Sequence, residues 1–78
     1  MTIYYGNSEN KICIGHPLTI EEANREIYRY VTEVLGREVY YTRHWKTPEG
    51  LEVVDFGSWS NFCYLSEKTT DEEVIWNV

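Results

Sequence analysis

Thiol and imidazole groups are the side chains here best suited to chemistry, and the chain has few of them. Cys13 and His16 stand at Cys-x-x-His spacing, while His44 and Cys63 lie far along the chain. Together they could hold zinc, but structural zinc takes its ligands in two close pairs. His44 and Cys63 are not such a pair, so no metal site is expected. Nucleophilic catalysis by cysteine needs a thiolate beside a base in an accessible pocket. Cys13 lies between Ile12 and Ile14, a context that reads as strand packing. Both cysteines are expected to be reduced and buried, since free Cys is among the most buried residue types.

Other short strings lack their context. Asp55-Phe56-Gly57 spells the magnesium-binding tripeptide of protein kinases without the accompanying loops, and Gly57-Ser58-Trp59-Ser60 lacks the second glycine of a nucleophile elbow. There is no P-loop and no dinucleotide fingerprint. A chain of 78 residues also has little room for a substrate cleft of roughly 300–1,000 Å³. The sequence is therefore read as non-enzymatic, with no catalytic residue, no metal and no cofactor.

Charge points elsewhere. Thirteen acids face seven Lys and Arg, a formal net charge of −6. That balance excludes a sequence-independent nucleic-acid binder, whose affinity comes from neutralising phosphates. By segment the charge is −2 over residues 1–36, +2 over 37–48 and −6 over 49–78. The acidic end includes Glu67, Asp71, Glu72 and Glu73. Such a segment solubilises a small protein. It also suits docking on a basic surface of a protein partner, steered electrostatically. If that surface handles nucleic acid, the carboxylates stand in for phosphate oxygens.

Aromatic residues make up 15% of the chain, with seven Tyr, three Trp and two Phe. A domain this small has a thin core, and large rings help to fill it. Not all twelve fit inside, and Tyr and Trp are favoured at protein contacts. Trp59, between two serines and after a glycine, is the strongest loop candidate for an interface anchor. Tyr40, Thr42 and His44 share one strand face, opposite Tyr41, Arg43 and Trp45. A helix can cover only one of these faces, which leaves the other for solvent or a second chain.

Local patterns set out the elements that must position these groups. Thr2-Ile3-Tyr4-Tyr5 and Lys11-Ile12-Cys13-Ile14 flank a Gly/Asn/Ser cluster and read as a hairpin. Thr19-Ile20-Glu21-Glu22 is a capping box. Ile20, Ala23, Ile27, Tyr30, Val31 and Val34 then recur at helical spacing, which predicts an amphipathic helix over 20–35 closed by Gly36. Glu21 with Arg25, and Arg29 with Glu33, are i,i+4 pairs on its outer side. Glu38–Trp45, Leu51–Phe56 and Phe62–Ser66 read as three strands of a meander, with a Thr47-Pro48-Glu49-Gly50 turn in the first connection. Thr70-Asp71-Glu72-Glu73 opens a short C-terminal helical turn or strand.

The expectation is one α+β domain over 1–78, with one amphipathic helix across a largely antiparallel sheet in the order ββαβββ. No segment is long and apolar enough to span a membrane and no signal peptide is evident, so a cytoplasmic location is expected. Size, acidity and aromatic content resemble the accessory and inhibitor proteins that phages and other mobile elements encode. The functional expectation is a small acidic interaction protein using Trp59, Glu67, Asp71, Glu72 and Glu73 on a basic protein partner. A homo-oligomeric assembly domain, with a homodimer through the sheet, is the alternative.

Overall fold

The computed structural model describes residues 1–39, 42–48, 50–58 and 60–67. It is an α+β fold in the expected order. Strands β1 (Thr2–Gly6) and β2 (Lys11–Gly15) form the first hairpin, and helix α1 (Ile20–Arg29) follows. Strands β3 (Arg43–Lys46), β4 (Glu52–Asp55) and β5 (Phe62–Ser66) complete the sheet. The spatial order is β2-β1-β5-β4-β3, with every neighbouring pair antiparallel. The chain leaves one sheet edge at β2 and returns at the other as β3. The intervening helix therefore has to cross the sheet. The meander is as expected, but its first strand begins at Arg43; Tyr40 and Tyr41 lie outside the described residues.

Two of the hairpins are held by local chemistry. The Asn7 side-chain oxygen accepts from the Glu9 and Asn10 N–H groups, each at 2.9 Å. Gly6 has a φ of +153° there, and an added Cβ would collide with the Asn10 carbonyl oxygen. Gly6→Ala is expected to cost about 2 kcal/mol by combining an unfavourable φ with a backbone clash, read as a lower urea midpoint. In the β3–β4 connection the Gly50 N–H donates to the Thr47 carbonyl at 2.9 Å. That bond closes the four-residue turn that Pro48 and Gly50 suggest.

Helix α1 starts where its cap predicts: the Glu22 N–H donates to Thr19 Oγ1 at 3.1 Å. The return half of the box is displaced by one residue, because Glu22 Oε2 accepts from the Leu18 N–H at 2.9 Å. Ala23, Ile27 and Val31 are buried against Ile3, Val54, Cys63 and Leu65. Two expected members of that stripe face outward, Ile20 at 51% and Val34 at 65% exposure. For Val34 the reason is geometric. The helix widens into a π-turn over Tyr30–Val34, and the Leu35 N–H donates five residues back to the Tyr30 carbonyl at 3.0 Å. The extra residue in that turn rotates Val34 off the stripe and brings Leu35 onto it, where Leu35 packs on the core. Ile20, in the first turn, lies beyond the sheet's cover. Neither Glu21–Arg25 nor Arg29–Glu33 closes into an ion pair; the described pairs lie on β3 and β4. Gly36 adopts φ +67°, the left-handed closure expected of it.

The other sheet face carries a second apolar cluster of Tyr4, Leu51, Val53 and Tyr64, with Phe62 packed against it. The sheet is thus apolar on both sides, and side-chain alternation along each strand sorts the residues between them. No described helix is long and apolar enough to cross a membrane.

Candidate functional site

The face away from α1 gathers rings from separate strands. Trp45 on β3 meets Phe62 on β5 at a centroid distance of 6.0 Å and an interplanar angle of 77°. Phe62 meets Tyr64 at 6.3 Å and 69°. Both are edge-to-face contacts, the arrangement that ring quadrupoles favour. Register produces them: Trp45 pairs with Val53, which pairs with Tyr64, and Phe62 stands two residues from Tyr64 on the same side. From the far edge the Lys11 ammonium lies 5.3 Å from the Tyr64 ring centroid. Gly6 stands between Lys11 and Phe62 in the register and has no side chain to block that approach. Burial holds the Lys11 pKa below its ordinary value and the Tyr64 pKa above its own.

Beside these rings lies an open cavity of about 460 Å³, floored by Val53, Phe62 and Tyr64 and walled by Trp45, Pro48 and Ser60. Trp45 is 45% exposed at its margin. The volume is in the range of small-molecule pockets and of pockets that receive one large side chain. A smaller groove of about 260 Å³ runs between α1 and β3–β4, over Ile27, Val31 and Val54, with His44 at its rim. His44 Nδ1 lies 3.7 Å from Glu52 Oε2 there. A larger hollow of about 670 Å³ on the outer flank of α1 is lined by Glu22, Arg25, Glu26 and Arg29 among others.

At one corner of the ring-bearing face, Arg43 Nη2 donates to Asp55 Oδ2 at 2.6 Å. The Gly57 N–H donates to the other carboxylate oxygen at 2.8 Å, so Asp55-Phe56-Gly57 is a turn. These bonds, the backbone one first and the Arg43 guanidinium second, hold the Asp55 carboxyl below its usual pKa. A depressed folded-state pKa adds stability above the unfolded value near 4 and loses it as pH falls through the folded value. Asp55→Asn should cost about 1 kcal/mol at neutral pH, and acid titration of its stability should fall less steeply than that of wild type.

Of the expected site residues, Glu67 alone lies among the described ones. Glu67 is exposed and follows the C-terminal end of β5. Trp59, Asp71, Glu72 and Glu73 lie outside the described residues. The connection containing Trp59 leaves β4 and enters β5 at the opposite end of that strand from Glu67. Trp45, Phe62 and Tyr64 were not singled out from sequence as a site. The sequence puts Trp45 on one of two strand faces, and which of them the helix covers depends on the β3–β4–β5 register.

The thiols correct one expectation. Both are free, and Cys63 is buried under α1, but Cys13 is exposed on the edge strand β2. It pairs with Tyr4 and so faces away from the helix, on a strand whose one neighbour among the described strands is β1. Burial pushes the Cys63 thiol pKa up to about 12. Cys13 Sγ lies 3.6 Å from His16 Nε2, whereas Cys63 faces the opposite side of the sheet and His44 sits on the far edge strand. Among the described residues no three Cys, His, Asp or Glu side chains converge as a metal site.

Compared with protein-family models, with curated proteins and with solved structures, the chain matches none.

Proposed function

We propose that this protein is a small, non-enzymatic interaction domain of the cytoplasm that docks on a protein partner with a basic surface. The observation that carries the reading is the cavity beside Trp45, Phe62 and Tyr64. A half-exposed tryptophan against a ring-lined hollow is the kind of anchor on which interface energy concentrates. An apolar side chain of the partner enters the hollow. The net charge of −6 supplies the long-range attraction to a basic surface. Trp59 belongs to the same connection as Ser60, which lines the cavity, and is proposed to widen the contact. Glu67, Asp71, Glu72 and Glu73 are proposed to contribute charge.

The test is capture from lysate on immobilised wild type and Trp45→Ala in parallel, at low and high salt. The reading expects a partner with a basic surface that wild type holds at low salt, releases at high salt, and that the variant fails to hold. Equal capture by both proteins would contradict the proposed contact. Light scattering of the free protein should read close to the 9.3 kDa of one chain. A dimer mass that Trp45→Ala abolishes would assign the face to a second copy instead. The edge strand β3 is a poor alternative route to a dimer. It has four residues, two of them Arg43 and Lys46, and short cationic edges resist strand pairing.

A further inference from the structure

A Cys-x-x-His segment in a regular strand points its two side chains to opposite sides of the sheet, because alternation has a period of two. Here the thiol and the imidazole meet. The reason lies in the register of β2 against β1. Tyr4 pairs with Cys13 while Ile3 pairs with Gly15, so Ile14 is an extra residue, a β-bulge. The bulge shifts everything after it by one position and brings His16 to the side that Cys13 faces, beside Thr2. Bulges re-aim side chains in this way, and they recur next to functional groups.

The result is a relay of three groups. Cys13 Sγ lies 3.6 Å from His16 Nε2, and His16 Nδ1 lies 3.4 Å from Thr2 Oγ1. Thr2 is 1% exposed and starts the interior strand β1, paired with Ser66, whereas Cys13 and His16 are open to solvent. Of the two ring tautomers that fit both contacts, the one suited to a base has Nδ1–H donating to the Thr2 hydroxyl. The Nε2 lone pair is then directed at the thiol. An imidazole held by a third group beside an accessible thiol is the arrangement that activates cysteine as a nucleophile.

We propose that Cys13, with His16 as its base and Thr2 as the group that orients it, is a site of reversible covalent modification by low-molecular-weight disulfides. His16 Nε2 takes the thiol proton, and the Cys13 thiolate attacks one sulfur of the disulfide. A bond forms between Cys13 and that sulfur as the original S–S bond breaks. The departing thiolate then recovers the proton from the imidazolium. One disulfide replaces another, with no net oxidation or reduction. The modification stands at the β2 edge and does not depend on the docking reading.

The probe is a symmetrical aromatic disulfide whose released thiolate is coloured, added in excess to the folded full-length protein. One equivalent should react rapidly, and the buried Cys63 should react only after denaturation. Cys13→Ser should remove the rapid phase. His16→Gln can still bond Thr2 but offers no base, and it should slow the rapid phase by about tenfold. In denaturant, where the relay no longer exists, wild type and His16→Gln should react at equal rates. A rapid phase that persists in Cys13→Ser would overturn the assignment. So would equal rates for wild type and His16→Gln in the folded state.

Discussion

Ile3→Ala should be strongly destabilised, with a thermal midpoint well below that of wild type. Ile3 is fully buried on β1, flanked by β2 and β5 and covered by Ala23, Ile27 and Val31 of α1. Deleting a buried isoleucine to alanine costs about 2–5 kcal/mol, the upper part where neighbours cannot collapse into the space. Here two paired strands and a helix hold the walls apart, so about 3–4 kcal/mol is expected. At a usual 0.05–0.15 kcal/mol per residue, a chain this size has only about 4–12 kcal/mol in all. Each kcal/mol moves the Tm of a small domain by about 4–8 °C, so the midpoint should fall by at least about 12 °C. Ile20→Ala and Val34→Ala are the matched controls. Both are exposed, and each should change stability by less than about 0.5 kcal/mol. A large loss at Val34 would contradict the rotation that the π-turn imposes.

The second large effect concerns binding. Trp45→Ala should weaken partner binding by at least about 2 kcal/mol, roughly thirtyfold, because aromatic anchors in desolvated hollows dominate interface energies. The same change should leave the fold intact. Trp45 stands on a peripheral strand whose every residue is exposed, and among the described residues the ring contact it loses is the one to Phe62. Phe62→Ala should match the binding loss but also lower stability, since Phe62 packs on Tyr64 and the second cluster. The acids should act differently. Charge reversal at Asp71, Glu72 and Glu73 should slow association and flatten its salt dependence more than it changes dissociation. Titration of the captured partner against each variant, with circular dichroism as the folding control, separates these outcomes.

What the sequence discloses is local, and what it conceals depends on register. The Asn7 and Pro48–Gly50 turns, the Thr19 cap and the Gly36 closure each rest on a residue and its near neighbours. All four appear where the pattern puts them. The antiparallel pairing of β1 with β5 joins residues sixty positions apart, and no local pattern encodes it. That pairing makes β1 interior and leaves β2 at the edge. It therefore exposes Cys13, which its apolar neighbours Ile12 and Ile14 suggest is buried. The Trp45–Phe62–Tyr64 contacts likewise need the β3–β4–β5 registers before the rings become neighbours. The π-turn is subtler still. A regular helix puts Val34 on the buried stripe, and only the widened last turn substitutes Leu35.

The docking surface is the central claim, and side-chain footprinting of the complex with its captured partner tests it most directly. Oxidative labelling of free and bound protein would report each ring and helix residue separately. Protection on binding should centre on Trp45 and Phe62, while the exposed Tyr28 and Val34 of the helix, and Leu18 just ahead of it, label as before. Protection of that helix surface, with Trp45 and Phe62 unchanged, would contradict the account.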